Sequence, residues 1–131
     1  MTTERLPLKD DQDVVRARQR VRVLVAELKF SLVDQTKMVT AASELARNTV
    51  IHGKGGAMVA DILDDGARRG LRLEFVDEGP GIVDLNEALR DGFTSGGGLG
   101  MGLPGSRRLV NDFSIRSVPG EGTSVSITRW K

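Results

Sequence analysis

The chain has 131 residues, 39% hydrophobic and 28% charged, which is enough for one compact domain with an ordinary core. The formal net charge of +1 is too small to indicate nucleic-acid or membrane binding by itself. With no cysteine and one histidine, the sequence excludes a disulfide framework, a thiolate nucleophile and Cys- or His-rich metal sites. No signal-peptide core or membrane-length apolar run is visible. We therefore expect a single cytoplasmic domain over residues 1–131.

The first predicted elements are a short strand at residues 4–8 and an amphipathic helix from about residue 12 to residue 29. Apolar residues recur along the helix at three- and four-residue steps, which is typical of one buried face. Four arginines lie off this stripe, and they favour a solvated helix face over a nucleic-acid contact: Arg16, Arg18, Arg20 and Arg22.

A second helix is predicted from Ser31 to about His52. Ser31 and Asp34 have the spacing of a capping box, with the acid in the usual place of glutamate. Gly53 is expected to follow the last turn as the left-handed residue that ends many helices. The apolar side of this helix is supplied by five residues: Met38, Ala41, Ala42, Leu45 and Ala46.

Alternating patterns predict strands at residues 57–63 and 71–76 and a final pair at 114–118 and 123–129. A short helix is expected at residues 84–90. Another helix is expected to follow the glycine-rich stretch, since Pro104 suits a first helical position and Leu109, Val110 and Phe113 have helical spacing. These elements predict an α+β fold, a two-layer sandwich with a mostly antiparallel sheet and helices on one face.

The most unusual stretch is residues 92–105, GFTSGGGLGMGLPG. Ordering so many glycines is entropically costly, which argues for a function. Bare backbone N–H groups leading into a helix can bind an anion, so we predict a mobile loop that closes over a phosphate. A disordered glycine-rich linker is the alternative.

Glu44 and Asn48 lie four residues apart, and therefore on one face, in the middle of the second predicted helix. An Asn side chain can offer an oxygen to Mg²⁺, and a neighbouring Glu can accept a proton from an attacking hydroxyl. An exposed polar pair without a function is the competing interpretation.

Asp77 ends a predicted strand and is followed by Gly79 and Gly81. A carboxylate there can accept a hydrogen bond from an exocyclic amine such as that of adenine, and the glycines let a flat ring lie against the backbone. Thr123, after a Gly-Glu-Gly turn, can place a hydroxyl beside the same ring. A plain turn and an ordinary hairpin residue are the alternatives.

The order and spacing of these segments resemble the GHKL (Bergerat-fold) ATPases. The segments ELARNTVIHG, DEGPGI, GGGLGMGL and GEGT look like the N box, the D-x-G-x-G box, the G-x-G lid and the late G-T of that superfamily, over roughly residues 33–130. Within it, the small size and the stretch from residue 91 to residue 115 look most like the RsbT-type switch kinases, with the RsbW-type anti-sigma kinases next.

The resemblance implies a role for each matching position. It implies Asn48 for Mg²⁺, Glu44 as general base and Asp77 for the adenine amino group, with Thr123 at the adenine edge. Glycines complete the implied site, two beside the ring and three at the phosphates: Gly79 and Gly81, then Gly98, Gly100 and Gly102. His52 and Lys54 receive no role from the motif, although Lys54 could steer phosphate.

Three rival interpretations lack their required context. A dinucleotide-binding site would need a strand before the G-x-G-x-x-G at residues 100–105, and none is predicted there. A P-loop or eukaryotic-type kinase would need a Walker A or H-R-D and D-F-G motif, and neither is present. A sensor histidine kinase would need a phosphoacceptor histidine on a dimerisation helix, but the sole histidine, His52, closes the N box.

The resemblance to the switch kinases implies a Mg-ATP-dependent protein serine/threonine kinase that acts as a partner switch in bacterial stress signalling. The resemblance implies as partners a STAS-domain antagonist, a PP2C-type phosphatase and a larger stressosome assembly. An anti-sigma factor with kinase activity and a non-catalytic, nucleotide-gated binding module remain as alternatives.

Overall fold

A computed structural model of the chain describes residues 3–79 and 102–131. In chain order these residues form β1 (Thr3–Leu8), α1 (Asp11–Glu27), α2 (Leu32–Ile51), β2 (Gly56–Asp64), β3 (Arg69–Asp77), α3 (Gly102–Arg108), β4 (Asp112–Val118) and β5 (Gly122–Trp130). The predicted helix at 84–90 and the glycine-rich stretch up to residue 101 lie outside the described residues.

The five strands form one sheet in the order β1-β2-β3-β5-β4, and every neighbouring pair is antiparallel. Leu71, Leu73 and Phe75 on β3 are buried, whereas the alternating Arg72 and Glu74 are more exposed. Successive side chains on a strand point to opposite faces, so β3 turns these apolar side chains toward the helices and the two charged ones to the opposite face of the sheet. The predicted two-layer α+β fold is confirmed.

The core lies between this face of the sheet and the helices α1 and α2. All five apolar residues predicted for the buried side of α2 are buried, and β2, β3 and β5 contribute Met58, Leu73 and Ile127 from below. Among the described residues, no helix is long and apolar enough to cross a membrane.

The helix starts follow the predicted capping chemistry more closely than the helix ends. Ser31 caps α2 by accepting from the Asp34 N–H at 3.1 Å, but the Asp34 carboxylate accepts from Arg129 on β5 at 2.6 Å, so only half of the capping box forms. Helix α1 ends at Glu27, two residues earlier than predicted. Lys29 takes the left-handed conformation there, with φ of 61°.

The segment after the glycine-rich stretch corrects the prediction of a helix that includes Phe113. Helix α3 ends at Arg108, and Phe113 belongs to β4, where it packs half-buried against the core opposite Ile127. Strand β4 begins at Asp112, and its alternation of polar and apolar residues outweighs the helical spacing of Leu109, Val110 and Phe113. Arg129 fixes the end of α3 by donating to the Leu109 carbonyl at 2.9 Å.

Candidate functional site

The candidate site forms where α2 ends and β3 ends, because the sheet register places these two points together. Asp77, the last residue of β3, is the partner of Gly56, the first residue of β2. The short turn that joins α2 to β2 therefore runs directly past Asp77. Backbone hydrogen bonds hold this turn, with the Gly53 N–H donating to the Asn48 carbonyl at 3.2 Å and the Gly55 N–H donating to the Thr49 carbonyl at 3.0 Å.

The Asp77 carboxylate is held by backbone groups from two directions. Its Oδ1 accepts from the Gly79 N–H at 2.9 Å and from the Thr123 N–H at 3.2 Å. Within residues 3–79 and 102–131, no group donates to the other oxygen, Oδ2. Two amide donors to one oxygen fix the orientation of the carboxylate of this half-buried residue, and Oδ2 keeps its capacity to accept a hydrogen bond.

Three glycines surround Asp77, and a side chain at any of them would collide with a neighbour. A Cβ at Gly53 would lie 2.3 Å from Asp77 Cγ, and a Cβ at Gly79 would lie 2.7 Å from Gly53 Cα. At Gly122 a Cβ would lie 2.3 Å from the Asp77 carbonyl oxygen, and the φ of +124° itself favours glycine. These three glycines make a cradle around Asp77, in which bare backbone packs against its side chain and its carbonyl.

Gly53 corrects the prediction that it is the left-handed residue after α2. Its φ is outside the left-handed range, and the positive φ angles belong to Lys54, at 59°, and Gly55, at 101°. Gly53 is needed because it packs on the Asp77 side chain. That contact joins residues far apart in sequence, so only the register of β2 and β3 could have revealed it.

Thr123 lies beside Asp77, as expected for two residues that approach one ligand. It is the second residue of β5, and its hydroxyl is 2.9 Å from the Ser117 hydroxyl on β4. Ser117 was missed by the sequence interpretation because nothing in the local pattern distinguishes it from the other polar residues of β4. Its relation to Thr123 follows from the hairpin register, which makes the two residues direct partners.

Glu44 and Asn48 lie half-buried on α2, one turn apart as predicted. The Asn48 carbonyl binds the Gly53 N–H, and Gly53 packs on Asp77, so Asn48 is connected to the carboxylate through one residue. The Asn48 side chain makes no hydrogen bond to any residue in the described ranges. Glu44 lies one turn further from the helix end, and this residue has an interaction partner.

The described part of the chain contains no group of three or more His, Cys, Asp and Glu side chains that could hold a metal ion. A Mg²⁺ ion at Asn48 would therefore depend on few protein ligands together with phosphates and water, which suits the preference of this ion. Of the predicted phosphate-binding glycines, Gly102 begins α3. Gly98 and Gly100 lie outside the described residues, as does Gly81 beside the predicted ring.

The comparisons with known proteins agree with this architecture. The family model of the histidine kinase-like ATPase domain matches residues 7–129. The chain is 46% identical over 119 residues to the serine/threonine-protein kinase RsbT of Bacillus subtilis, which covers 90% of this chain and 89% of the relative. It is 33% identical over 121 residues to the anti-sigma F factor of Bacillus licheniformis, covering 86% and 81%.

A solved structure supports the fold. The RsbU and RsbW domains of a Mycobacterium tuberculosis protein match with a TM-score of 0.70 and 21% identity. The match covers 100% of this chain but 33% of the other, so the present chain spans about a third of that structure.

The chain belongs to the histidine kinase-like ATPase domain family, which is the GHKL class that its motifs resemble. The similarity to RsbT confirms the predicted enzyme class, a protein serine/threonine kinase that uses ATP, and places it among the partner-switching kinases.

Proposed function

We propose that this chain is a Mg-ATP-dependent switch kinase that phosphorylates a serine or threonine of a STAS-domain antagonist and, once released, activates a PP2C-type phosphatase. The single observation that supports a working nucleotide site best is the Asp77 cradle. The carboxylate is oriented by two amides, no residue in the described ranges donates to its Oδ2, and glycine backbone packs beside it, which fits an exocyclic amine on a flat ring.

In this proposal Asp77 Oδ2 accepts from the adenine amino group, while Gly79 and Gly81 lie beside the ring and Thr123 contacts its edge. A site that accepts a hydrogen bond from a ligand group rejects analogues that lack this donor by large factors, so this arrangement selects adenine over guanine. Three further glycines, Gly98, Gly100 and Gly102, would contact the phosphates through their N–H groups.

Helix α2 would supply the residues for chemistry. Mg-ATP brings the transferable phosphoryl group and the cation that offsets its charge. Asn48 fits the metal because its side-chain oxygen accepts no hydrogen bond from the described residues. Glu44 would accept the proton of the attacking hydroxyl, and its place one turn along the same face puts it beside the Asn48 position.

The test of this function is phosphoryl transfer. Purified protein, γ-labelled ATP and a STAS-domain protein encoded beside this chain should yield label on a serine or threonine of that protein. The matched control is Asp77→Ala, which should lose labelling because it loses the acceptor for adenine. No labelling by the wild type under conditions in which it binds ATP would contradict the proposed kinase function.

A second function is favoured by the anti-sigma F factor relatives, which are 30–33% identical to this chain. An anti-sigma factor would form a stable complex with a sigma factor. Binding assays with a sigma factor and with a PP2C-type phosphatase therefore separate the two: phosphatase binding supports the switch kinase, and sigma binding alone supports the anti-sigma factor.

A further inference from the structure

Arg129 on β5 ties the first turn of α2 to the end of α3. By strand alternation its side chain lies on the side of the sheet that faces the helices, as do those of Val125 and Ile127. One terminal nitrogen of its guanidinium donates to Asp34 Oδ1 at 2.6 Å, and the other donates to the Leu109 carbonyl at 2.9 Å. Only 14% of the side chain is exposed, and such shielding from water strengthens charge-assisted hydrogen bonds.

This contact is better suited to fixing geometry than to stabilising the fold. The Arg129 Nε is buried and has no hydrogen-bond partner in the described ranges. Burying a charged group costs free energy, and an incompletely bonded guanidinium recovers that cost only in part. Its planar group nevertheless holds two partners at a set separation. The Asp34 carboxylate and the Leu109 carbonyl are therefore kept in place relative to each other.

The two helices that Arg129 joins hold groups proposed to bind the metal and the phosphates. Asn48 lies near the end of α2, and Gly102 begins α3. Helix α3 has seven residues and is about 10 Å long, with Ser106 fully buried, so a shift of its last turn also moves its first residue. The position of Gly102 relative to Asn48 therefore depends on the contacts that Arg129 makes at α2 and at the end of α3.

We infer that Arg129 is a positioning residue for the phosphates of ATP, acting by holding α3 at a fixed place against α2. The inference rests on the proposed function, in which Gly102 contacts a phosphate and Asn48 contacts Mg²⁺. The adenine contact is separate, because Thr123, which donates to Asp77, lies six residues from Arg129 along β5, or about 20 Å. Loss of the Arg129 side chain should therefore affect phosphate binding and leave the binding of the base unchanged.

Calorimetry with adenosine and with Mg-ATP separates the two halves of the ligand, because adenosine has the base without the phosphates. Arg129→Met should keep the wild-type affinity for adenosine and weaken Mg-ATP binding by about two- to tenfold, the amount expected from one net hydrogen bond. Hydrogen exchange reports the cause. The Leu109 N–H donates to the Ser106 carbonyl at 3.1 Å, and its exchange should become faster in the unliganded variant.

Two further variants separate this role from general stability. Arg20→Met is the matched control, because it removes another arginine–carboxylate pair, the one that joins α1 to Glu4 on β1. It should lower stability and change neither affinity. Asp34→Ala removes one anchor of Arg129 and serves if Arg129→Met does not fold. It should weaken Mg-ATP selectively, and adding it to Arg129→Met should cause no further loss of Mg-ATP affinity.

The outcomes distinguish the inference from the proposed function. Unchanged Mg-ATP affinity in a folded Arg129→Met, equal losses for adenosine and Mg-ATP, or unchanged exchange at Leu109 would each overturn the positioning role. A wild-type protein that binds adenosine as tightly as Mg-ATP, or binds neither, would instead overturn the proposed phosphate contacts. The wild-type titrations alone identify that case.

Discussion

Replacing Gly53 by alanine adds one methyl group at the point where the turn after α2 packs on Asp77. The new Cβ would lie 2.3 Å from Asp77 Cγ and 2.4 Å from Oδ2, about 1 Å closer than ordinary van der Waals contact. Asp77 must therefore move by about this distance. Its hydrogen bonds from Gly79 and Thr123, at 2.9 and 3.2 Å, would then exceed hydrogen-bonding range.

The expected effect is on nucleotide binding as well as on stability. Hydrogen bonds to charged groups contribute about 1.5–3 kcal/mol, so losing the contact of a misplaced Asp77 with adenine should weaken Mg-ATP binding by about 10- to 100-fold. Overpacking should also lower the free energy of unfolding by about 1–3 kcal/mol. Calorimetry measures the first quantity, and urea unfolding measures the second.

Gly66→Ala is the matched control. Gly66 lies in the exposed turn between β2 and β3 with φ of +87°, and a Cβ there would meet nothing within 4 Å. The left-handed strain should cost about 1–2 kcal/mol of stability while ATP affinity stays at the wild-type value. If the contact at Gly53 did not matter, Gly53→Ala would be neutral or stabilising by about 0.4–1 kcal/mol, because its φ is compatible with alanine. That outcome, with ATP affinity unchanged, would refute the steric reasoning.

Two other predictions concern the chemistry of α2 and the response to acid. Glu44→Gln should bind Mg-ATP with near wild-type affinity but transfer phosphate about 10²–10⁴-fold more slowly in single-turnover assays. Asn48→Ala should weaken both nucleotide binding and transfer. Full-rate transfer by Glu44→Gln would show that another group is the general base. Hydrogen bonds from Thr3 and, to a smaller extent, from Arg72 lower the pKa of Asp61 in the folded protein. This carboxylate therefore stabilises the fold at pH values above its unfolded pKa of about 4, and the stabilisation is lost as the pH falls through the lower pKa of the folded state. Urea midpoints between pH 6 and pH 3 should fall less steeply for Asp61→Asn than for the wild type, and equal slopes would contradict the assignment.

Local periodicity was sufficient to predict most of the fold. The apolar positions of α2 and the alternation in β3 identified their buried faces, because burial imposes a fixed spacing on each element. The prediction was wrong after α3, where Phe113 satisfies both a helical spacing from Leu109 and an alternation with Ile115. Strand pairing with β5 decides between these patterns, and pairing is not a local property.

The candidate site was also predicted only where a local sequence pattern marks it. The motif resemblance identified Asp77, Gly79 and Thr123, and the structure places these three residues together. Gly53 and Ser117 were not recognised as parts of the site, since their relations to it come from the register of β2 with β3 and of β4 with β5. The roles assigned to these residues in nucleotide binding and transfer stay predictions until they are measured.

The most direct test of the adenine site is the nucleotide preference of Asp77→Asn. The Gly79 and Thr123 amides donate to Oδ1, so the carbonyl oxygen of an asparagine must take that position and its NH₂ group must occupy the place of Oδ2. A donor would then face the base where an acceptor stood. Calorimetry should show that the wild type binds Mg-ATP more tightly than Mg-GTP and Mg-ITP. Asp77→Asn should bind ATP about tenfold more weakly than the wild type does, and it should bind ITP as tightly as the wild type or more tightly. Equal binding of ATP and ITP by the wild type, or unchanged ATP affinity in Asp77→Asn, would contradict the assignment of Asp77 to the adenine amino group.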